Sequence, residues 1–151
     1  MLFRSAARAL PVLKMRGERI VHNGVTIWND SYNANPDAMR AMVDVLRDTR
    51  AVNRIAVLGE MRELGAWAER LHTDTGVYIA KMGIDVLIAV HGEAKHMAEA
   101  AANAGLKQVH FVDAAETAGE LLKTIARPGD AILFKGSRGV HIERALERYL
   151  A

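Results

Sequence analysis

Apolar and polar positions fall into short blocks along this chain, and the period of the pattern changes from block to block. Residues 19–22 and 25–28 flank Asn23-Gly24, the pair that most strongly signals a tight hairpin, so two antiparallel strands are predicted there. Four short apolar runs follow, at 55–58, 86–90, 109–112 and 131–134. Such nearly continuous runs suit parallel strands covered on both faces. Between them the period becomes helical. Met39, Met42, Val43 and Leu46 share one face after Asn35-Pro36-Asp37, where Asn35 suits an N-cap, Pro36 the first helical position and Asp37 the positive end of the dipole. Residues 66–82 place Trp67, Leu71, Tyr78 and Met82 on one side, and 93–104 end at Gly105. Residues 113–126 start with Asp113 and Glu116 spaced as a capping box, and 139–150 carry Ile142, Ala145, Leu146 and Tyr149.

Strands alternating with helices predict an α/β domain: a three-layer, Rossmann-like, mainly parallel sheet with the first hairpin as its antiparallel edge. In that architecture one rim of the sheet gathers Asp30 to Asn35, Gly59 to Gly65, His91-Gly92-Glu93, Asp113 and Lys135 to Arg138. Open α/β sheets bind ligands at the carboxyl ends of their strands, which is this rim. Capping alone calls for Asn35, but not for Asp30, Tyr32 and Asn33 as well. Two cations, a hydroxyl and the amides before the helix expected at 139 make Lys135, Ser137 and Arg138 a candidate anion site.

Composition narrows the classes. With 151 residues there is length for one full core, and a net charge of +2 is too small to imply nucleic acid. The absence of cysteine excludes disulfides and cysteine-based metal sites, and no apolar run approaches a membrane span. There is no Gly-x-Gly-x-x-Gly dinucleotide fingerprint and no Gly-x-x-x-x-Gly-Lys-Ser/Thr phosphate loop. The six histidines are scattered without His-Glu-x-x-His spacing, which argues against a metal site built by this segment alone. His72 reads as a structural or surface residue, His110 as a satisfied core histidine, and Trp67 and the methionines as core. Residues 1–19 hold Arg4, Arg8, Lys14, Arg16 and Arg19 against Glu18 alone. That composition superficially suits a transit peptide; residues 1–10 are read instead as a linker or remnant of a preceding segment.

Four ordered motifs carry a resemblance. Asp30-Ser31-Tyr32-Asn33-Ala34-Asn35-Pro36 resembles the start of the C-terminal domain of the Mur ligases. Lys14-Met15-Arg16-Gly17-Glu18 resembles the Gly-Arg-Gly-Glu stretch that leads into that domain, with Met15 where the family usually has Gly. Leu58 to Gly65 resembles its Gly-Asp-Met-x-Glu-Leu-Gly loop, with Glu60 for the usual Asp, and Lys135 to Arg138 its Lys-Gly-Ser-Arg turn. The likeness covers residues 11–151, nearest to the members that add D-alanyl-D-alanine to UDP-MurNAc-tripeptide in peptidoglycan synthesis. It implies a cytoplasmic, ATP- and Mg-dependent amide-forming ligase whose first and central domains hold the UDP-sugar, the phosphate loop and the metal, so that the segment alone is inactive. It also implies nucleotide contacts from Arg16, Asp30, Tyr32, Asn33 and Asn35, and acceptor contacts from Lys135, Ser137 and Arg138, with His91 and Glu93 beside them. A nucleotide-dependent oxidoreductase domain and a non-catalytic nucleotide-binding or interaction module remain as alternatives.

Overall fold

In a computed structural model of the protein, which describes residues 14–151, six strands form one sheet. They are β1 (Glu18–His22), β2 (Val25–Asp30), β3 (Arg54–Gly59), β4 (Val86–Val90), β5 (Gln108–Val112) and β6 (Ala131–Lys135). The five helices are α1 (Pro36–Asp48), α2 (Ala68–Lys81), α3 (Ala94–Asn103), α4 (Ala115–Ile125) and α5 (Glu143–Leu150). The sheet order is β1-β2-β6-β3-β4-β5, with β1–β2 antiparallel and every other pair parallel. The expected fold class is therefore observed, antiparallel edge hairpin included. The segment 1–10, read as a linker, lies outside the described residues.

Two apolar layers sandwich the sheet. Alternate strand residues Ala56, Leu58, Leu87, Ala89 and Leu133 pack under α1, α2 and α3, while Ile55, Val57, Ile88, Ile132 and Phe134 face α4 and α5. The central strands β6, β3 and β4 explain the unbroken apolar runs, because both faces of each are covered, whereas burial alternates along β2. Burying each such Leu, Ile or Phe contributes about 1.5–3 kcal/mol. Helix α1 follows its signals closely: Asn35 Oδ1 accepts the Ala38 N–H at 2.8 Å, Pro36 opens the helix, and Met39, Val43 and Leu46 are buried.

Several expectations need correction. Strand β5 is an edge strand, so its residues are at most half-buried: Phe111 is 41% exposed, and His110 is not a core histidine. On α2 the fully buried face is His72, Thr75, Gly76 and Ile79; of the residues expected there, Tyr78 and Met82 are half-buried against the core and Leu71 is half-buried. A side chain at Gly76 would strike the Met97 carbonyl and come within 3.0 Å of Ala100 Cβ, so α2 and the Ala-rich α3 meet across small residues. Trp67, at the end of the 3-10 turn before α2, is 60% exposed. The Asp113–Glu116 capping box does not form, since α4 starts at Ala115, after Ala114 with no side-chain cap; Asp113 falls outside the capping position. Finally, α5 starts at Glu143 rather than near 139. Arg138–Val140 make a 3-10 turn, and His141 takes a left-handed φ of 58° before the helix.

The crossover pattern inserts β6 between β2 and β3, so its following loop runs between the loops after those two strands. Gly136 allows them to touch: a Cβ there would sit 2.5 Å from Ile142 Cγ1 and 3.1 Å from Gly59 Cα.

Candidate functional site

Parallel register builds the first corner of the rim. It pairs Asp30, the last residue of β2, with Lys135, the last of β6. Lys135 Nζ donates to Asp30 Oδ2 at 2.5 Å and to the Asn33 carbonyl at 2.9 Å, and its side chain is only 4% exposed. Beneath them Ser31 donates to Asn29 Oδ1 at 2.6 Å, and Asn29 Nδ2 donates to Glu18 Oε1 at 3.1 Å, which ties the turn to β1. Tyr32 N–H donates to the Met15 carbonyl at 3.0 Å. That bond draws the 14–17 turn against the site and sets the Arg16 guanidinium over the Tyr32 ring at 3.9 Å. Met15 has a φ of 67°, a left-handed conformation that glycine takes freely, which accounts physically for a glycine at this place in the family motif.

Arg138 also approaches this ring, 5.1 Å from its centroid, with Nη1 donating to the Tyr32 hydroxyl at 3.3 Å. A cleft of about 390 Å³ between these groups is lined by Arg16, Asp30, Tyr32, Asn33, Asn35 and Lys135. All five residues expected on the nucleotide side therefore converge in one place. Stacked guanidiniums with a carboxylate at a strand end can hold an anion and a hydroxylated ring together.

The second corner is organised by Glu60, which sequence reasoning noted only as a departure from the motif. Its Oε2 accepts the Glu93 N–H at 2.7 Å, its Oε1 accepts from Arg62 Nε at 3.2 Å, and its carbonyl accepts the Ser137 N–H at 3.1 Å. The carboxylate lies where a Cβ on Gly92 would be, so a side chain there would have to displace it. Arg62 N–H donates in turn to Ser137 Oγ at 2.8 Å. Below, His72 is fully buried; its Nε2 accepts the Met61 N–H at 2.9 Å, and Nδ1 therefore carries the proton directed at the Ala68 carbonyl, 2.6 Å away. Burial pushes its pKa below the usual histidine value.

The residues expected to receive the acceptor separate here. Lys135 does not stand with Ser137 and Arg138 as an open receptor, because register and burial commit it to Asp30. Nor does a helix N-terminus support that turn, since α5 begins at Glu143. Ser137 and Arg138 line a cleft of about 540 Å³ with Asn33, Asn35, Arg62 and Glu63. His91 faces a different recess with Arg62, Asp113, His141 and Arg144. Glu93 belongs to the Glu60 side, where its carboxylate lies 3.1 Å from His96 Nε2. Arg62 borders all three spaces. It was missed because an arginine in a charged loop looks like any solvated residue; its only sequence signal was the neighbouring Glu60.

Comparison with known proteins places this geometry in context. The profile of the family described as "Mur ligase, glutamate ligase domain" matches residues 15–138. A UDP-N-acetylmuramoyl-tripeptide--D-alanyl-D-alanine ligase of Bacillus subtilis is 32% identical over 149 residues, 94% of this chain and 32% of that protein. The ligase of the same name from Escherichia coli is 36% identical over 121 residues, covering 80% of this chain and 26% of its own length. The chain thus spans about a third or less of these curated relatives. Among solved structures, a MurF from Acinetobacter baumannii superposes with a TM-score of 0.85 at 28% identity, covering 97% of this chain and 32% of that one. The MurF ligase of Thermotoga maritima in complex with ADP gives a TM-score of 0.79 at 27% identity, covering 98% and 35%.

Proposed function

The chain belongs to the Mur ligase family, as the C-terminal domain of the MurF type, and from that premise we propose that it works within a ligase joining D-alanyl-D-alanine to UDP-MurNAc-tripeptide. The observation that carries the reading is the convergence of separate family motifs on one rim: Arg16, the Asp30–Asn35 turn, and the Ser137-Arg138 turn stand around a single Tyr32 ring.

In this reading ATP phosphorylates the tripeptide carboxylate, the dipeptide amine attacks the acyl phosphate, and inorganic phosphate leaves as the amide bond forms. The contribution of this chain is positional. Arg16 and Asp30 hold the ribose and neighbouring phosphate of ATP, with Tyr32, Asn33 and Asn35 lining the pocket, while Ser137 and Arg138 face the acceptor. In this reading the chain supplies no general base, and the rate comes from alignment of reactants. Among the described residues no group of three or more His, Asp or Glu side chains could hold a metal ion. Magnesium, the phosphate cradle and the UDP-sugar site belong in this reading to the other domains of a cytoplasmic ligase. No helix among the described residues is long and apolar enough to cross a membrane.

Exchange of the C-terminal third of the Bacillus subtilis relative for this chain tests the proposal. The chimera is expected to release phosphate only when ATP, UDP-MurNAc-tripeptide and D-alanyl-D-alanine are all present, and the chain alone to release none. Ligation by the chain alone, or a folded chimera that binds ADP and tripeptide but never uses the dipeptide, overturns the reading.

A further inference from the structure

We propose that Arg62 is a specificity-determining residue of the acceptor site: with Ser137 and Arg138 it receives the free carboxylate of the incoming dipeptide, the part first expected of Lys135. This rests on the ligase reading above and deepens it.

The argument begins with how firmly Arg62 is aimed. Its peptide N–H is fixed by Ser137 Oγ at 2.8 Å and its Nε by Glu60 Oε1 at 3.2 Å. Glu60 is itself anchored by the Glu93 N–H. The guanidinium lies against Gly139, where any Cβ would overlap it. Only one guanidinium N–H is used. Both terminal nitrogens are without a hydrogen-bond partner among the described residues, and the side chain is 46% exposed. A half-exposed fork with its stem tied down is preorganised for a carboxylate, since little rotamer freedom is lost on binding.

Location then selects the ligand. The cleft of about 540 Å³ shared by Arg62 and Arg138 abuts the nucleotide cleft through Asn33 and Asn35, which line both. An acceptor seated there lies beside the ATP-side groups, as amine attack requires. Ser137 Oγ already accepts from Arg62, which leaves its own proton to donate. Glu63 lines the same cleft. A space with two guanidiniums and a carboxylate suits a zwitterion: carboxylate toward Arg62 and Arg138, ammonium toward Glu63.

The test is an NMR titration of the 151-residue chain with D-alanyl-D-alanine, its C-terminal amide and ADP. Binding on the order of millimolar is expected, because the chain offers only part of the contact surface. The dipeptide should shift the Arg62 and Arg138 Nε–H signals saturably. The amide should bind at least tenfold more weakly. Arg62→Gln should weaken the dipeptide at least tenfold and Arg62→Lys severalfold, with ADP shifts at Tyr32 and Asn33 unchanged in both; the two variants guard against a folding defect in either. Equal dipeptide binding by wild type and Arg62→Gln would overturn the role of Arg62 while sparing the ligase reading. Loss of ADP binding with dipeptide binding intact would move Arg62 to the nucleotide. No dipeptide shifts at Ser137 or Arg138 in the wild type would sink the acceptor site and Arg62 with it.

Discussion

Two corners of one sheet edge each hold cations, and they use them in opposite ways. At Asp30–Lys135 the ammonium is 4% exposed, its proximal carboxylate 17%, and its bonds are made within the chain. At Arg62–Arg138 the guanidiniums stand in open clefts with donors to spare. A buried ammonium costs several kcal/mol to desolvate, on the order that only a close partner offsets. Such a pair holds two strand ends in register; it cannot also release its charge to a ligand at little cost. An anchored, half-exposed guanidinium keeps that capacity. The contrast teaches that nearness in sequence, as in Lys135 and Arg138, does not assign a shared role.

The sharpest way to break the comparison is Lys135→Ala. Leaving Asp30 with an unpaired charge should lower stability by about 3 kcal/mol, seen as a lower denaturation midpoint. A loss comparable to that for Arg138→Ala would erase the distinction between scaffold and receptor. Next, His72→Ala removes a fully buried ring and strands the Met61 N–H beneath the Arg62 corner, at an expected cost of about 2–3 kcal/mol. Its pH signature is distinct. The folded-state pKa of His72 lies below the unfolded value, so its contribution is present above about pH 6.5 and declines as pH falls from there toward the folded pKa. Unfolding followed between pH 7 and 5 should show this decline in the wild type and a shallower one in His72→Gln.

Glu60→Asp sharpens the comparison from the receptor side. One of the two bonds, to Arg62 Nε or to Glu93 N–H, is lost, which predicts a cost of about 1 kcal/mol in thermal unfolding and broader Arg62 Nε–H signals. Full retention of both would remove Glu60 as the organiser. The smallest effect is expected for Arg138→Ala: a change within about 0.5 kcal/mol in stability, measured alongside Lys135→Ala in the same denaturant series, because its side chain is exposed and its stack on Tyr32 is wet.

Much of the fold was legible because local chemistry and burial agreed. Asn23-Gly24 could make little but a hairpin turn, and Asn35-Pro36 fixed the start of α1 to the residue. That Asp30, Tyr32, Asn33 and Asn35 share one rim was legible, since strand ends in a parallel sheet share an edge, whereas Arg16, in the turn before β1, was brought to them only by the family resemblance. Legibility failed where a neighbour decided. The apolar run at β5 became an edge strand because, among the described residues, no further strand pairs with its outer side. On α2 the innermost face went to His72, Thr75, Gly76 and Ile79, with Tyr78 and Met82 at its margin, because α3 comes within side-chain contact at Gly76.

By itself, then, the sequence determined the alternation of strands and helices, the edge hairpin, and the rim that gathers the polar loops. Those follow from hydrophobic period and turn chemistry, which act within a few residues of the chain. Only the tertiary structure decided that Lys135 is spent on Asp30, that Glu60 aims Arg62, and that His72 rather than Trp67 is buried. Each of these depends on which atoms meet across strands or loops tens of residues apart, where register, close approach and desolvation, not local pattern, set the energy.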